Sequence, residues 1–292
     1  MAPRVASFTQ EAGRRPCLGI ILVGDDPASE IYVRNKVKAG TESGLQVDLH
    51  RLAPTAALEE LLALVQRLNA SDAHDGILVQ APLPAAMGRG AAQQVFDAID
   101  PAKDVDGFSP VSVGRLVQNR ALLAPCTPSG IIEMLDRSEI RIGGTRAVVI
   151  GRSEIVGKPM AMLLLARDAT VTICHSKTPD LPGVAREADI LVAAIGRAGF
   201  VTRDFVKPGA TVVDVGINRV TDAQVAESLL GTASPRLADF TRRGSLVVGD
   251  AHPNVGDVAG ALTPVPGGVG PLTIAMLLKN TVAAAEARRR VA

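Results

Sequence analysis

The sequence predicts an α/β fold in two domains, and three observations predict it. The first is the stretch Arg146 to Pro159, RAVVIGRSEIVGKP. Four apolar residues, Ala147 to Ile150, run into Gly151, and an apolar-periodic segment rich in Met, Leu and Ala follows Pro159; this is a buried parallel strand turning into a helix. The second is a series of further strand-like runs at Thr170–Cys174, Ile190–Ile195 and Thr211–Val215, the last two ending in glycine, as the carboxyl edge of an open parallel sheet requires. The third is size: 292 residues with 47% apolar content can build two cores of ordinary dimensions. Leu18–Val23 and Asp75–Gln80 supply strands for the first of them.

At a strand-to-helix turn without bulky side chains, backbone N–H groups and the positive end of the helix dipole stay open to an anion, most often a phosphate. Ser153 stands where the fingerprint G-x-G-x-x-G has its second glycine, and Gly157 comes one residue late, so a plain structural turn is the competing reading. The next strand decides. An NAD site carries an acidic residue about twenty residues on, at the end of that strand, to hold the ribose 2′-hydroxyl. Here the chain reads His175-Ser176-Lys177. A hydroxyl and cations suit a 2′-phosphate, which favours NADP over NAD.

Lys and Arg total 31 against 30 Asp and Glu, a balance that indicates neither a nucleic-acid nor a membrane partner. Cys17, Cys126 and Cys174 form no C-x-x-C pair, so neither a disulfide framework nor a zinc site is indicated, and a reducing, cytoplasmic setting is expected. The apolar runs are too short to span a bilayer and the N-terminus has no apolar signal core. His50, His74 and His252 lack acidic or Cys companions at metal spacing; they read as structural or surface residues, and no metal is expected.

In chain order, residues 1–16 predict at most a short, poorly fixed helix. After the strand Leu18–Val23, a turn at Gly24–Pro27 leads to Ser29, a candidate cap for a helix from Glu30 towards Gly40. On it Tyr32 and Lys36 are four apart, neighbours on one face at the carboxyl edge of the sheet. A solvated lysine with its stem on a half-buried tyrosine would also account for the pair. The strand Asp75–Gln80 ends in a neutral amide, and Pro82-Leu83-Pro84 then forces the chain out of regular structure. An Ala-rich helix around Ala91–Ile99 precedes Asp104-Val105-Asp106-Gly107, where either aspartate could be a turn former. Thr127-Pro128 opens a helix leading out of the first domain. Pro264–Gly270, with two prolines and three glycines, is a rigid, close-packed turn before a helix over Leu272–Arg290, whose final Arg run reads as a solvated end.

Eight of these segments occur in a distinctive order: YVRNK, DGILVQ with PLP, KDVDGF, PCTPSG, VVIGRSEIVGKP, CHSKT, VVDVGINR and TPVPGGVGP. From Leu18 to its end the chain resembles the bifunctional methylenetetrahydrofolate dehydrogenase/cyclohydrolase family. The resemblance implies a folate-site domain of residues 1–125 joined by a returning C-terminal helix, 268–292, and a Rossmann-like NADP-binding domain of residues 126–267. It implies oxidation of 5,10-methylenetetrahydrofolate with NADP and hydrolysis of the methenyl product to 10-formyltetrahydrofolate, in a cytoplasmic homodimer serving purine, methionine and histidine biosynthesis. Alternatives are a member that kept one activity, an NADP-dependent dehydrogenase of another small substrate, or a nucleotide-binding regulatory protein without turnover.

Site roles follow from the same resemblance. Lys36 is the general base for water addition, since desolvation beside a cationic ligand disfavours the ammonium form, and Gln80 orients the amine without adding charge. Tyr32 stacks on the folate rings, and Asp106 accepts two parallel N–H bonds from the pterin's aminopyrimidine edge; Asp104 is the weaker candidate, better read as a turn carboxylate. Pro266 and Gly267 complete the substrate site. Gly151 to Ser153 meet the cofactor's pyrophosphate and ribose, Arg152 and Ser176 its 2′-phosphate, and Ile217 its nicotinamide end. His175 is either a loop residue or a cofactor contact. The chain departs from the family pattern in a shorter N-terminal helical segment, in Ala81 where Leu is usual, and in Ala251 where a branched residue is usual.

Overall fold

The computed structural model of the chain describes residues 1–232 and 234–290. They divide into two compact units, one of Met1–Cys126 with the C-terminal segment from Ile274, the other of Thr127–Thr273. The sequence-based boundaries were 125/126 and 267/268, so the second crossing falls inside the last helix rather than before it.

The first unit runs α1 (Ala2–Ala12), β1 (Cys17–Val23), α2 (Pro27–Glu42), β2 (Gln46–Leu52), α3 (Leu58–Ala70), β3 (Gly76–Val79), α4 (Ala91–Ala98) and α5 (Pro110–Val117). All three strands are parallel, in the order β2-β1-β3. Every residue of β1 is buried, which is why it reads as an unbroken apolar run: helices cover both faces of a parallel sheet. Beside β3 the chain passes once more, with Ile77 N–H donating to Lys103 O at 2.8 Å.

Two expectations need correction here. Residues 1–16 are not poorly fixed: α1 buries Val5 and Phe8, ends on Gly13 at φ 67°, and pairs Arg4 with Glu286 at 2.7 Å. Two buried positions in eleven residues leave little periodicity for a sequence reading to detect. The cap of α2 is Asp26, not Ser29. Pro27 occupies the first turn, and the Asp26 carboxylate accepts the Ser29 N–H at 2.8 Å, the usual match of a fixed φ with an upstream acceptor.

Buried charge ties the unit's ends together. Asp75, fully buried, accepts from Cys17 N–H (2.9 Å), from both Arg14 Nη atoms (2.7 and 2.8 Å) and from Arg288 Nη1 (3.2 Å). Lys103, 2% exposed, sends Nζ to the carbonyls of Leu68, Asn69 and Ser71 at 2.7–2.9 Å, so a cation closes the carbonyl end of α3.

The connecting α6 (Cys126–Arg137) leads to the second unit: β4 (Arg146–Ile150), α7 (Gly157–Leu165), β5 (Thr170–Cys174), α8 (Leu181–Ala185), β6 (Ile190–Ala193), β7 (Thr211–Asp214), β8 (Asn218–Val220), α9 (Ala223–Leu230), α10 (Arg236–Arg243), β9 (Leu246–Val248) and β10 (Ala261–Leu262). Its main sheet is parallel in the order β10-β7-β6-β4-β5, and β8 and β9 form a separate antiparallel ribbon. Strand alternation sorts β4 between two cores, Ala147 and Val149 with Ile131, Met160 and Leu164, Val148 and Ile150 with Leu191 and Val212. The last helix, α11 (Val269–Arg289), returns to the first unit, where Asn280 Nδ2 donates to Val105 O and Ala124 O at 2.8 and 2.9 Å. No helix among the described residues is long and apolar enough to cross a membrane.

Removing a buried carboxylate that serves two guanidinium groups and a backbone N–H leaves all three under-satisfied. Asp75→Ala should lower the stability of the first unit by about 2–4 kcal/mol, read as a fall in its thermal midpoint, and Asp75→Asn should lose less because an acceptor for Cys17 N–H remains. A midpoint unchanged in both variants would show that the arginines are equally well served by water.

Candidate functional site

In the first sheet the chain moves from β1 outward to β2, then crosses back to place β3 on the other flank of β1. A parallel sheet opens a crevice where its order reverses, outside the carboxyl ends of the two diverging strands, here β1 and β3. Lys36 reaches this place from α2. Gln80 stands one residue past the end of β3, held by its own N–H on Ile21 O at 2.9 Å. Lys36 Nζ donates to Gln80 Oε1 at 2.9 Å, and Gln80 Nε2 donates to Ala81 O at 2.6 Å, so the amide is fixed with its oxygen towards the amine.

Tyr32 lies half-buried one turn before Lys36, and burial pushes its phenol up from the ordinary range. Asp106 completes the group. Burial raises its carboxyl to about 6, Lys36 opposes the rise with its positive charge and Asp104 adds to it. The Cys126 thiol sits beside this carboxyl and donates to Val105 O at 3.2 Å, a contact that cysteine spacing in the sequence does not reveal. Asp104 accepts the N–H groups of Gly107, Phe108 and Ser109 at 3.0, 3.3 and 2.8 Å. It is a loop clamp, and it sets the course of the backbone that carries Asp106. The structure thus gathers Tyr32, Lys36, Gln80 and Asp106 in one unit. Pro266 and Gly267 belong to the other, exposed in the turn before α11.

The second sheet repeats the device, with β4 followed outward by β5 and the order reversing to β6. Gly151 at φ 130° ends β4, and a Cβ there would meet Ala194 O at 2.2 Å; one on Gly157 would meet Gly151 O at 2.4 Å. These two contacts make glycine obligatory at both places, so the glycine that comes late in the sequence still packs the helix start against the strand end. Ser153 Oγ accepts the N–H groups of Val156 and Gly157, each at 3.2 Å. A hydroxyl thereby orders the loop where the common fingerprint has a glycine.

A groove of about 310 Å³ opens here, lined by Gly151, Arg152, Ser153, His175, Ser176 and Arg197, among others. Arg152 and Ser176 are exposed. His175 Nδ1 accepts Lys177 N–H at 3.1 Å and its own N–H donates to Thr178 Oγ1 at 2.9 Å, so the residue orders the loop and also faces the groove. Ile217, 53% exposed, follows β7. Sequence reasoning missed Arg197, whose guanidinium stacks on Phe200 at 4.2 Å, and it missed Asp250. That carboxylate accepts the N–H groups of Ile195, Gly196 and Arg197 at 2.7–3.0 Å and Asn218 Nδ2 at 2.9 Å, fixing the groove wall. The neighbouring Ala251 works through its backbone, donating to Asp214 Oδ2 at 2.9 Å.

Comparison with known proteins bears on both units. The family model described as tetrahydrofolate dehydrogenase/cyclohydrolase, catalytic domain, matches residues 1–106, and that of the NAD(P)-binding domain matches residues 125–289. The bifunctional protein FolD of Solibacter usitatus is 55% identical over 292 residues, covering 100% of this chain and 94% of the relative. That of Koribacter versatilis is 57% identical over 277 residues, covering 95% and 89%. Among solved structures, Trypanosoma brucei N5,N10-methylenetetrahydrofolate dehydrogenase-cyclohydrolase, complexed with NADP cofactor and an inhibitor, superposes with a TM-score of 0.86 at 38% identity, covering 99% of this chain and 93% of that one.

The raised Asp106 carboxyl has a consequence for stability. A carboxyl higher in the folded chain than in the unfolded one favours folding below about 4 and loses that contribution as pH rises through about 6. Asp106→Asn should therefore stabilise the first unit above pH 6 by on the order of 1–2 kcal/mol, read as a raised thermal midpoint, and change it little near pH 4. A midpoint difference independent of pH would contradict the burial of this charge.

Proposed function

The chain belongs to the tetrahydrofolate dehydrogenase/cyclohydrolase family, and from that premise we propose that it oxidises 5,10-methylenetetrahydrofolate with NADP and hydrolyses the methenyl product to 10-formyltetrahydrofolate. The observation that carries this reading is the Lys36 Nζ to Gln80 Oε1 bond of 2.9 Å at a sheet switch point, with the Asp106 carboxyl beside it. An amine, a neutral amide and a partly buried carboxylate are what a base-assisted hydrolysis of a bound pterin cation needs.

The cofactor fits the groove of the second unit. Its floor is bare backbone at Gly151, the end of β5 bears Ser176 and no carboxylate, and Arg152 is free to meet a phosphate. Bound there, NADP supplies the hydride acceptor, its pyrophosphate and ribose at Gly151–Ser153, its 2′-phosphate at Arg152 and Ser176, and its nicotinamide end at Ile217. Because the lone pairs of two nitrogens stabilise the cation left by hydride loss, the oxidation asks the protein for orientation rather than proton transfer.

Hydrolysis asks for a base. Water oxygen bonds to the methenyl carbon as one of its protons passes to Lys36 Nζ; one carbon–nitrogen bond then breaks, the remaining hydroxyl proton moving to the departing nitrogen as the formyl C=O forms. Gln80 keeps the amine aimed, Tyr32 offers an apolar ring for the substrate to stack on, and Asp106 accepts paired N–H bonds from the aminopyrimidine edge. Folate binding should weaken as pH falls through about 6, because the protonated Asp106 carboxyl loses one acceptor position. Family membership also supports a cytoplasmic homodimer that provides one-carbon units for purine, methionine and histidine synthesis.

Lys36→Met should reduce methenyl hydrolysis by about 10²-fold or more while folate affinity, measured by fluorescence titration, stays within a few-fold; hydrolysis persisting at near wild-type rate would remove Lys36 from the role of base. Ser176→Asp should place a carboxylate against the 2′-phosphate and lower NADP affinity relative to NAD by about tenfold. An unmoved ratio in parallel titrations of the two cofactors would place the 2′-phosphate elsewhere.

A further inference from the structure

The amino edge of the first sheet holds a second cluster of reactive side chains, at the end of β1 opposite the crevice. Seven residues of strand separate the two by roughly 20 Å. Cys17 opens β1, Asp48 lies on the neighbouring β2, and His74 comes just before β3. Sequence spacing gives His74 no acidic or Cys companion; strand pairing supplies both. Among the described residues these three alone bring three potential metal-ligand atoms within 4.8 Å of one another.

Two of the three separations are close to those of a coordination shell, and the third is below 4.8 Å. Metal bonds of about 2.3 Å to sulfur and about 2.0 Å to nitrogen and oxygen, at tetrahedral angles, need edges of roughly 3.5 Å from S to O and roughly 3.3 Å from N to O. Cys17 Sγ lies 3.5 Å from Asp48 Oδ2, and His74 Nε2 lies 3.1 Å from the same oxygen. The imidazole is set up as a ligand. Its Nδ1 is engaged by Ser71 Oγ at 2.9 Å, which leaves the buried Nε2 facing the Asp48 carboxylate at 3.1 Å. An outer partner on one nitrogen that leaves the other free is how ligating histidines are oriented. Gln46 Nε2, 3.2 Å from each Asp48 oxygen, steadies the carboxylate.

Backbone chemistry makes the room. Gly19, between Cys17 and Ile21 on the same face, would as alanine place its Cβ 3.2 Å from His74 Cδ2. Nearby cations are already engaged, Arg14 on Asp75 and Lys103 on three carbonyls. His50 faces the same region with its ring 5.9 Å from that of His74, and its Nε2 is also buried without a partner.

We propose that Cys17, Asp48 and His74 bind one divalent transition-metal ion of the zinc class, with water in the fourth position, as a structural site clasping the three strands of the first sheet. On binding, the Cys17 thiol proton leaves to solvent as the sulfur takes up the metal. Asp48, with a side chain 35% exposed, marks the entry side.

The test uses the full chain, stripped of metal by chelation and titrated with Co²⁺. The expected result is one Co²⁺ per chain with a thiolate-to-cobalt charge-transfer band and the d–d bands of a tetrahedral site, both abolished by displacement with Zn²⁺. Cys17→Ser should remove the charge-transfer band, Asp48→Asn should weaken binding at least tenfold, and Ser71→Ala about tenfold. Zn²⁺ should raise the thermal midpoint of the wild type and leave that of Cys17→Ser in place. No stoichiometric Co²⁺ in the wild type, or the same band in Cys17→Ser, would overturn the assignment. Should Cys17→Ser fail to fold, unchanged affinity in both Asp48→Asn and Ser71→Ala would do so.

Discussion

A parallel strand can pair with its successor only after the chain has crossed back over the sheet, and this constraint shapes both units. Each begins its sheet at an interior strand, β1 in one and β4 in the other. The first crossover goes to one flank and a later one to the opposite flank. The helices leaving the central strand must then diverge, and no helix can cover the point where they part. Lys36 and Gln80 meet at one such point, and the Gly151 groove lies at the other. The two candidate sites are therefore one topological consequence expressed twice, with different side chains delivered to it.

An open crevice has few apolar side chains to hold its walls, so charge does that work. Asp104, bridged to Ile77 of β3, collects three N–H groups of the loop that follows it, and Asp250 collects three of the loop that ends β6 together with an Asn218 amide. A carboxylate accepting several backbone N–H groups substitutes for a regular ladder where the backbone has to turn. Rigidity at the site therefore comes from buried acceptors that the reaction itself does not need.

How much of this was legible in the sequence depended on whether a signal was local. The strands β1, β3, β4, β6 and β7 were readable because burial turns each into an apolar run, and the largely exposed edge strand β5 was readable from its β-branched residues. Edge strand β2, alternating Val47 and Leu49 with Asp48 and His50, offers a weaker pattern, and α1 has two buried positions in all. Lys36 and Gln80 could be placed at a carboxyl edge from their positions after or beside a strand. That they touch depends on β3 lying beside β1, which no stretch of sequence displays. Arg197, Asp250 and the Cys17, Asp48 and His74 group were invisible for the same reason, since their partners arrive by pairing and not by spacing. The N-cap was misplaced by three residues because Asp26 and Ser29 are both good caps, and Pro27 decides between them by fixing the first helical φ.

Among the buried carboxylates, donor count separates scaffold from site better than the size of a pKa displacement does. Burial raises Asp214 and Asp106 alike to about 6. Asp214 nonetheless accepts the N–H groups of Gly216, Asp250 and Ala251 at 2.8–2.9 Å, and Asp75, Asp104 and Asp250 are similarly occupied. Their acceptor positions are spent, so a ligand could engage them only by dismantling a loop. Asp106 receives no backbone N–H among the described residues; its neighbours are a thiol and the Lys36 charge. A partly buried carboxylate whose acceptors take no backbone N–H costs stability in the free protein, and a ligand offering N–H bonds recovers part of that cost on binding. By this measure Asp106 is the carboxylate open to a ligand, and its more heavily hydrogen-bonded neighbour Asp104 belongs to the scaffold.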